Sequence, residues 1–584
     1  MRWSAAAGLA LVLVLLGLSL QVQTAGWGAL YNETDGQYAG AARVMAEGGD
    51  WLVPVNNGTP RLVKPPLLYW MMASSFRVFG LSEFAARLPN AIGVIGWILA
   101  TFLIGNLFGG AWRGFVAGVV LLTCLGTATL ARIVMPEPVF CALIAGAVYC
   151  GLRGLVERGG WQPWMLGMWA LASTAAFTKG VHGLLFPLVI VALAGWLVPE
   201  WRDRWRRLVS WTAAAGLGTF LLINVPWYLA MESRYPGVLA NLFLVEHWGH
   251  VAGSDAPATS YTNVPRWQFL LLHLAWFFPW SVIVLAEILR RGLGESVVDT
   301  RPEGDRQLER VLLIWAGVVL VPVLLAGQRQ DYYAMAAWPA FALWVAMVVE
   351  RGVSWIGVVA ALSVCAIGLG VLPSMGVEPS AAAVAERSTA WTTVSGLDAE
   401  VWASLTRVGQ LTLGAAVLGL AFALVMLARG RRKLALRAVM LAAAALSFGA
   451  VAGYARVAPY FSVAEMAPVL RELADRGVRV AYDGGIDTGS SLLFYVGDDV
   501  LIVGQDQGDD FLTREFAFGR DRYASVEEFV EVWKGESMVL VTEAGRDEFW
   551  RERLEGLGEP VARSGTQVVF VTSGASGPSD AQVD

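Results

Sequence analysis

The 584-residue chain is 56% hydrophobic and only 16% charged, well below the roughly 25% charge usual in soluble domains, and this excludes an ordinary soluble globular protein. Its formal net charge of -5 comes without a basic stripe interleaved with aromatics, which argues against a nucleic-acid partner. The four cysteines, Cys124, Cys141, Cys150 and Cys365, fall in apolar runs with neither a pairing pattern nor metal-ligand spacing, so they read as packing residues.

A helix needs about 20 apolar residues to cross the hydrocarbon layer. That length predicts thirteen crossings, at residues 5–24, 84–107, 113–132, 136–156, 161–178, 181–199, 208–230, 269–289, 309–327, 332–349, 353–373, 407–428 and 434–455. The first run follows Arg2 and precedes the small residues Thr24, Ala25 and Gly26, as a signal peptide would, but a dozen further runs favour a retained span. With the N-terminus inside, Arg113, Arg153, Arg158, Arg202, Arg204, Arg206, Arg207, Arg290, Arg291, Arg306, Arg429, Arg431, Arg432 and Lys433 all fall on inner connections, as the positive-inside rule requires. The same alternation places outside a loop at 25–83, a second at 231–268, short links near 133, 179 and 329, and everything after the last span. The expected fold is therefore mainly α, a polytopic membrane domain over 1–455 followed by a small α/β domain over 456–584 outside the membrane.

Within the first outer loop, residues 38–47 have helical propensity, with Tyr38, Ala41 or Ala42, and Met45 on one face and Arg43 paired with Glu47 at i and i+4. This helix is expected to lie along the membrane interface. Lys64 and two prolines then precede LLYWMMASSFRVFG, an amphipathic stretch bearing Tyr69 and Trp70 that reads as a second helix at headgroup level. In the tail, VRVAY, DVLIVG, SMVLVT and TQVVFVT read as strands. Ser462 with Glu465 and Ser525 with Glu528 have capping-box spacing, and DEFWRERL reads as a further helix. The glycine-rich DGGIDTGSS lacks nucleotide-loop spacing and reads as a turn.

Transporters normally hide ionisable residues at mid-membrane. Here Glu137, Lys179, His182, His273, Arg329 and Asp331 all fall near the outer ends of spans, and Asn224 is the polar residue inside one. Chemistry at an outer face fits this distribution better than conduction. A lipid-linked glycan flippase with an accessory outer domain is the alternative, and a non-catalytic platform carrying a binding domain is a third reading.

The stretches TDGQYAGAARVMAEGGDWLVP, KPPLLYW, FGLSEFAARLPNAI, MPEPVF, FTKGVHGLLFP, NVPWYLA, NLFLVEHWGH and QRQDYYAMAAWPAFA resemble, in family order, the GT-C class of polyprenyl-phosphate-sugar-dependent glycosyltransferases. The likeness is greatest to the ArnT-like aminoarabinose transferases and extends to the protein O-mannosyltransferases. The resemblance implies a multi-pass enzyme of a bacterial-type inner membrane. It implies an inverting transfer, at the outer face, from a polyprenyl phosphate sugar to an acceptor hydroxyl on a glycan, lipid or protein. The family pattern Asp-Glu-x-x-Tyr-Ala becomes Thr34, Asp35, Gly36, Gln37, Tyr38 and Ala39 here. Asp35 is the favoured general base, with Glu33 the other choice; Asp35 also fits an Asx turn or helix cap. Glu137 matches the family's second acidic residue. Lys64, Arg43 and Lys179 match family cations and, with Arg329, are the candidate partners of the donor phosphate, a role that suits cations outside the hydrocarbon. Tyr38, Tyr69, Tyr332 and Tyr333 are expected to shape the site. Glu246 and His247 are expected beside it, and with His250 they lack the HExxH order of a zinc protease. Val63 stands where the family has a metal-binding glutamate before the KPP lysine. No cofactor is expected.

Overall fold

Every predicted crossing coincides with a helix or a bent pair of helices. The computed structural model describes residues 2–244, 264–292, 302–375, 399–504, 511–564 and 566–572. Among the described residues eight helices are long and apolar enough to cross a membrane, or up to ten if each of two bent pairs is one span. The thirteen-crossing expectation therefore stands corrected in detail. His182–Leu197 and Trp355–Val371 are shorter apolar helices, and residues 113–132 and 269–289 are not straight rods.

Both bends can be traced to named residues. Ala111–Thr123 and Leu125–Arg132 meet at 58°, with Cys124 extended between them. Backbone groups freed inside lipid must find partners. The Ser447 hydroxyl donates to the Thr123 carbonyl at 2.6 Å, and the Trp280 indole N–H to the Thr123 hydroxyl at 3.1 Å. Arg266–Trp276 and Trp280–Leu289 meet at 105°, where Pro279 has no N–H to continue a helix.

At the helix ends farthest from the first loop, Arg113 pairs with Asp305 at 2.6 Å and Glu350 at 2.8 Å, while Arg351 reaches Asp305 at 3.0 Å. Three helices far apart in sequence are thus fastened by charges on the side opposite the first outer loop.

The tail forms a six-stranded sheet. A short hairpin in the outer loop supplies β1 (Val55–Asn56) and β2 (Thr59–Pro60). The sheet comprises β3 (Arg479–Asp483), β4 (Val500–Val503), β5 (Tyr523–Ala524), β6 (Met538–Glu543), β7 (Gly558–Ser564) and β8 (Gln567–Thr572), in the order β5-β4-β3-β6-β8-β7. Strands β3 to β6 are parallel, and β8 and β7 add antiparallel. The four expected strands are present; β5 and β7 are additional. Ser525 and Glu528 form the expected capping box, and Asp547–Arg553 is the expected helix. Ser462 and Glu465 do not form a cap. The helix begins only at Ala467, with a proline in its first turn, and the Glu465 carboxylate instead accepts from the Ser564 hydroxyl.

The two helices of the outer loop pack against the sheet domain. Thr34–Ala46 and Leu67–Phe79 share one buried apolar cluster with the sheet, including Ala39, Met45, Leu68, Met72, Leu492, Val541 and Val569. The small residues of Thr34–Ala46 explain this. A Cβ at Gly40 would stand 2.6 Å from the Leu493 Cβ, and one at Gly36 would collide with the Ser490 backbone. Glycine at both positions is what allows the sheet domain to close on this helix.

Candidate active site at the outer face

Two buried arginines shape the turn after the first span. Arg87 donates to the carbonyls of Ala25, Trp27, Gly28 and Ala29 at 2.6–3.2 Å. Arg132 donates to the Thr24 hydroxyl at 2.7 Å and to the Thr24 carbonyl. Neither arginine was singled out in the sequence, where each stands at the end of an apolar run.

Asp35 answers these charges from the first turn of Thr34–Ala46. It is 1% exposed, and its two oxygens accept from the Val134 N–H at 2.7 Å and the Tyr31 N–H at 3.1 Å, with Arg87 at 3.7 Å. Burial pushes its carboxyl up, opposed by Arg87, the two amides and Arg132. This is the geometry of a clasp between the outer loop and the link that precedes Glu137. Both of its oxygens are taken by protein donors, and the side chain is buried.

Glu33 is placed differently. It is exposed, and it sits at the helix N-cap with φ 62° and ψ -111°. For a residue with a side chain this conformation costs about 1–3 kcal/mol and persists only where neighbours impose it. The neighbours come from the turn after β3, the segment read as DGGIDTGSS. The Glu33 N–H donates to the Asp487 carbonyl at 2.7 Å, and the Ser490 hydroxyl donates to the Glu33 carbonyl at 3.0 Å. Beside them the Ser491 N–H donates to the Asn32 side chain at 3.0 Å, and the Gln37 amide donates to the Asp487 carboxylate. Partial desolvation and the Asp487 carboxylate push the Glu33 carboxyl up.

A cationic and aromatic wall stands next to this pair. Arg61, another residue the motifs did not single out, lies over the Tyr38 ring at 5.3 Å and donates to the Tyr69 hydroxyl at 3.1 Å, while Tyr38 stacks on Tyr69 at 5.0 Å. Its charge opposes the burial that raises the Asp487 carboxyl. Lys64 is half-buried just before the Leu67–Phe79 helix. Glu137, 3% exposed, opens its helix and pairs with Lys179, whose ammonium lies 5.6 Å from the Tyr332 ring and 5.0 Å from the Tyr333 ring. The expected pairing of acid, cation and tyrosines is thus brought together.

Two expected phosphate partners, Arg43 and Arg329, hold protein groups in this structure. The Arg43 guanidinium pairs with Glu47 at 2.8 Å and donates to the Phe494 carbonyl at 3.0 Å, so it ties the outer loop to the sheet domain. Arg329, 4% exposed, donates to the carbonyls of Val323, Val264 and Ala326 and caps a helix end. Glu246, His247 and His250 lie outside the described residues. Among the described residues no three His, Cys, Asp or Glu side chains gather as a metal site would require.

Residues 4–240 match the family described as Dolichyl-phosphate-mannose-protein mannosyltransferase. Undecaprenyl phosphate-alpha-4-amino-4-deoxy-L-arabinose arabinosyl transferase of Pseudomonas aeruginosa is 30% identical over 276 residues, 46% of this chain and 48% of that protein. The enzyme of that name from Erwinia tasmaniensis is 26% identical over 337 residues, 56% of each chain. The chain thus spans about half the length of the curated relatives it matches. The crystal structures of ArnT from Cupriavidus metallidurans superpose with TM-scores of 0.78 (bound to undecaprenyl phosphate, 21% identity) and 0.77 (apo, 22% identity). They cover 98% of this chain and 99% and 100% of theirs. These matches bear out the resemblance read from the motifs, and the superposition shows a shared fold along nearly the whole chain.

Proposed function

We propose that this multi-pass membrane protein, built on the fold of the GT-C glycosyltransferases, transfers a sugar from a polyprenyl phosphate donor to an acceptor hydroxyl. In this reading the reaction takes place at the outer face of a bacterial-type inner membrane, and residues 456–584 form an extracytoplasmic domain. The observation that carries the reading is the Glu137–Lys179 pair beside Tyr332 and Tyr333, on a helix whose preceding link is bonded to Asp35 of the first loop, together with the family match over residues 4–240.

In the transfer, the acceptor oxygen attacks the anomeric carbon as the bond to the phosphate oxygen breaks. Glu33 accepts the hydroxyl proton. The polyprenyl phosphate leaves with the electron pair, its developing charge met by Lys64 and Lys179, whose cations need no reorganisation at the moment of reaction. Glu137 holds Lys179, and the Tyr332 and Tyr333 rings flank the ammonium. Asp35 positions the loop without touching the reacting atoms.

The test is a transfer assay with purified protein in nanodiscs, a polyprenyl phosphate sugar as donor, and envelope lipids, glycans and proteins as acceptors. The reading requires release of polyprenyl phosphate in step with an acceptor-linked sugar. Movement of intact donor across a sealed vesicle, with no bond broken, would replace it by the flippase alternative.

A further inference from the structure

The turn at residues 485–491 belongs to the sheet domain, about 450 positions from the outer loop, yet it makes several hydrogen bonds to that loop. The Asp487 carbonyl and the Ser490 hydroxyl bracket the Glu33 peptide groups, and the Ser491 amide holds Asn32. Gly36 brings the helix against the Ser490 backbone, where a Cβ would collide. Between them Glu33 keeps a positive φ that its own side chain disfavours. Remove the bracket and the residue relaxes into the ordinary region, swinging the carboxylate with it.

We propose that this turn is a positioning element of the catalytic centre, with Ser490 and Asp487 fixing the backbone that aims the Glu33 carboxylate, so that the C-terminal domain completes the active site. The inference rests on the reading of Glu33 as general base. A misplacement of about 1 Å in a reacting group can cost on the order of 10²-fold in rate, which is the scale at which two lost hydrogen bonds would act. Asp487 also sets the electrostatics. It is the acid whose charge acts on Glu33 from the sheet domain, whereas Arg61 acts on Asp487 and Asp35 is turned toward Arg87 and Arg132. A base works unprotonated, so a neighbour that favours its protonated form moves the acidic limb of the rate profile to higher pH.

Three variants of the full chain test this, each assayed for transfer from a polyprenyl phosphate sugar across pH. Ser490→Ala should lower kcat about tenfold or more while KM for the donor changes less than twofold. Asp487→Asn keeps an oxygen for the Gln37 amide, so the fold is preserved; it should move the acidic limb of kcat/KM to lower pH. Glu33→Gln should abolish transfer. Wild-type kcat in Ser490→Ala and an unmoved limb in Asp487→Asn, with Glu33→Gln inactive, would overturn the positioning role and leave Glu33 as base. Full activity in Glu33→Gln would overturn the base reading itself. Because Asp487→Asn does not disturb packing, its pH profile decides the matter even if Ser490→Ala fails to fold.

Discussion

Asp35→Asn is expected to loosen the outer loop, where Glu33→Gln is expected to stop the chemistry. The asparagine keeps one oxygen for the two N–H donors of Val134 and Tyr31, and its NH₂ must face the other. A buried N–H left without a partner costs about 1–3 kcal/mol, and Arg87 also loses its anionic neighbour, so roughly 2–5 kcal/mol of stability should go. Glu33 is exposed and its backbone bracket is indifferent to the side chain. Glu33→Gln should therefore change stability by no more than about 0.5 kcal/mol while transfer falls by about 10²- to 10⁴-fold. Thermal unfolding of the purified protein, read beside single-turnover transfer, separates the two effects. In the wild type, the raised Glu33 carboxyl should put the acidic limb of kcat/KM above the ordinary glutamate value of about 4.3. If Asp35→Asn melts with the wild type but loses two orders of magnitude in turnover, and Glu33→Gln keeps full turnover, Asp35 is the base and the assignment is wrong.

Lys64→Ala, at a half-buried position, should lower turnover and donor affinity with little change in melting temperature; wild-type kinetics would remove Lys64 from the phosphate site. Lys179→Ala strands the buried Glu137 carboxylate, so folding should suffer by about 3–5 kcal/mol, and Lys179→Ala/Glu137→Gln together should recover much of that stability without recovering transfer. Gly36→Ala should prise the outer loop from the sheet domain, seen as new protease cleavage near residue 460 and lost transfer; unchanged digestion would contradict the close packing described.

The membrane part was legible because lipid imposes a simple rule on length and polarity. The bends were not, since the break at Cys124 depends on Ser447 and Trp280, more than 150 residues away. The strands with continuous apolar runs were legible, whereas β7 alternates half-buried and exposed positions and includes a proline and a glycine. Within the site, Glu137, Lys179 and Lys64 stood out because each lies in a short motif. Arg43 and Arg329 shared that signal, but a cation in an outer loop can be used up by carbonyls, and only the folded chain shows which are. Asp487 and Ser490 lay in a segment that reads correctly as a turn, with nothing local to say what it touches. The sequence favoured Asp35 over Glu33 as base; the proposal of Glu33 departs from that because Asp35 is buried against Arg87 and two backbone amides while Glu33 is exposed, a difference that spacing does not carry.

The shared apolar cluster of the outer loop and the sheet also sets an order of events during synthesis. Residues 25–83 leave the ribosome early, but their partners Leu492, Val541 and Val569 come more than 400 residues later. At about 5–20 residues per second, that wait is on the order of tens of seconds. Throughout it the Thr34–Ala46 helix exposes the small apolar face that the sheet will cover, and the Glu33 turn has nothing to hold it. The nascent protein should therefore be inert, and an attractive client for chaperones, until β8, the last described strand, has formed and paired. Loss of that strand alone should silence an otherwise complete set of membrane helices.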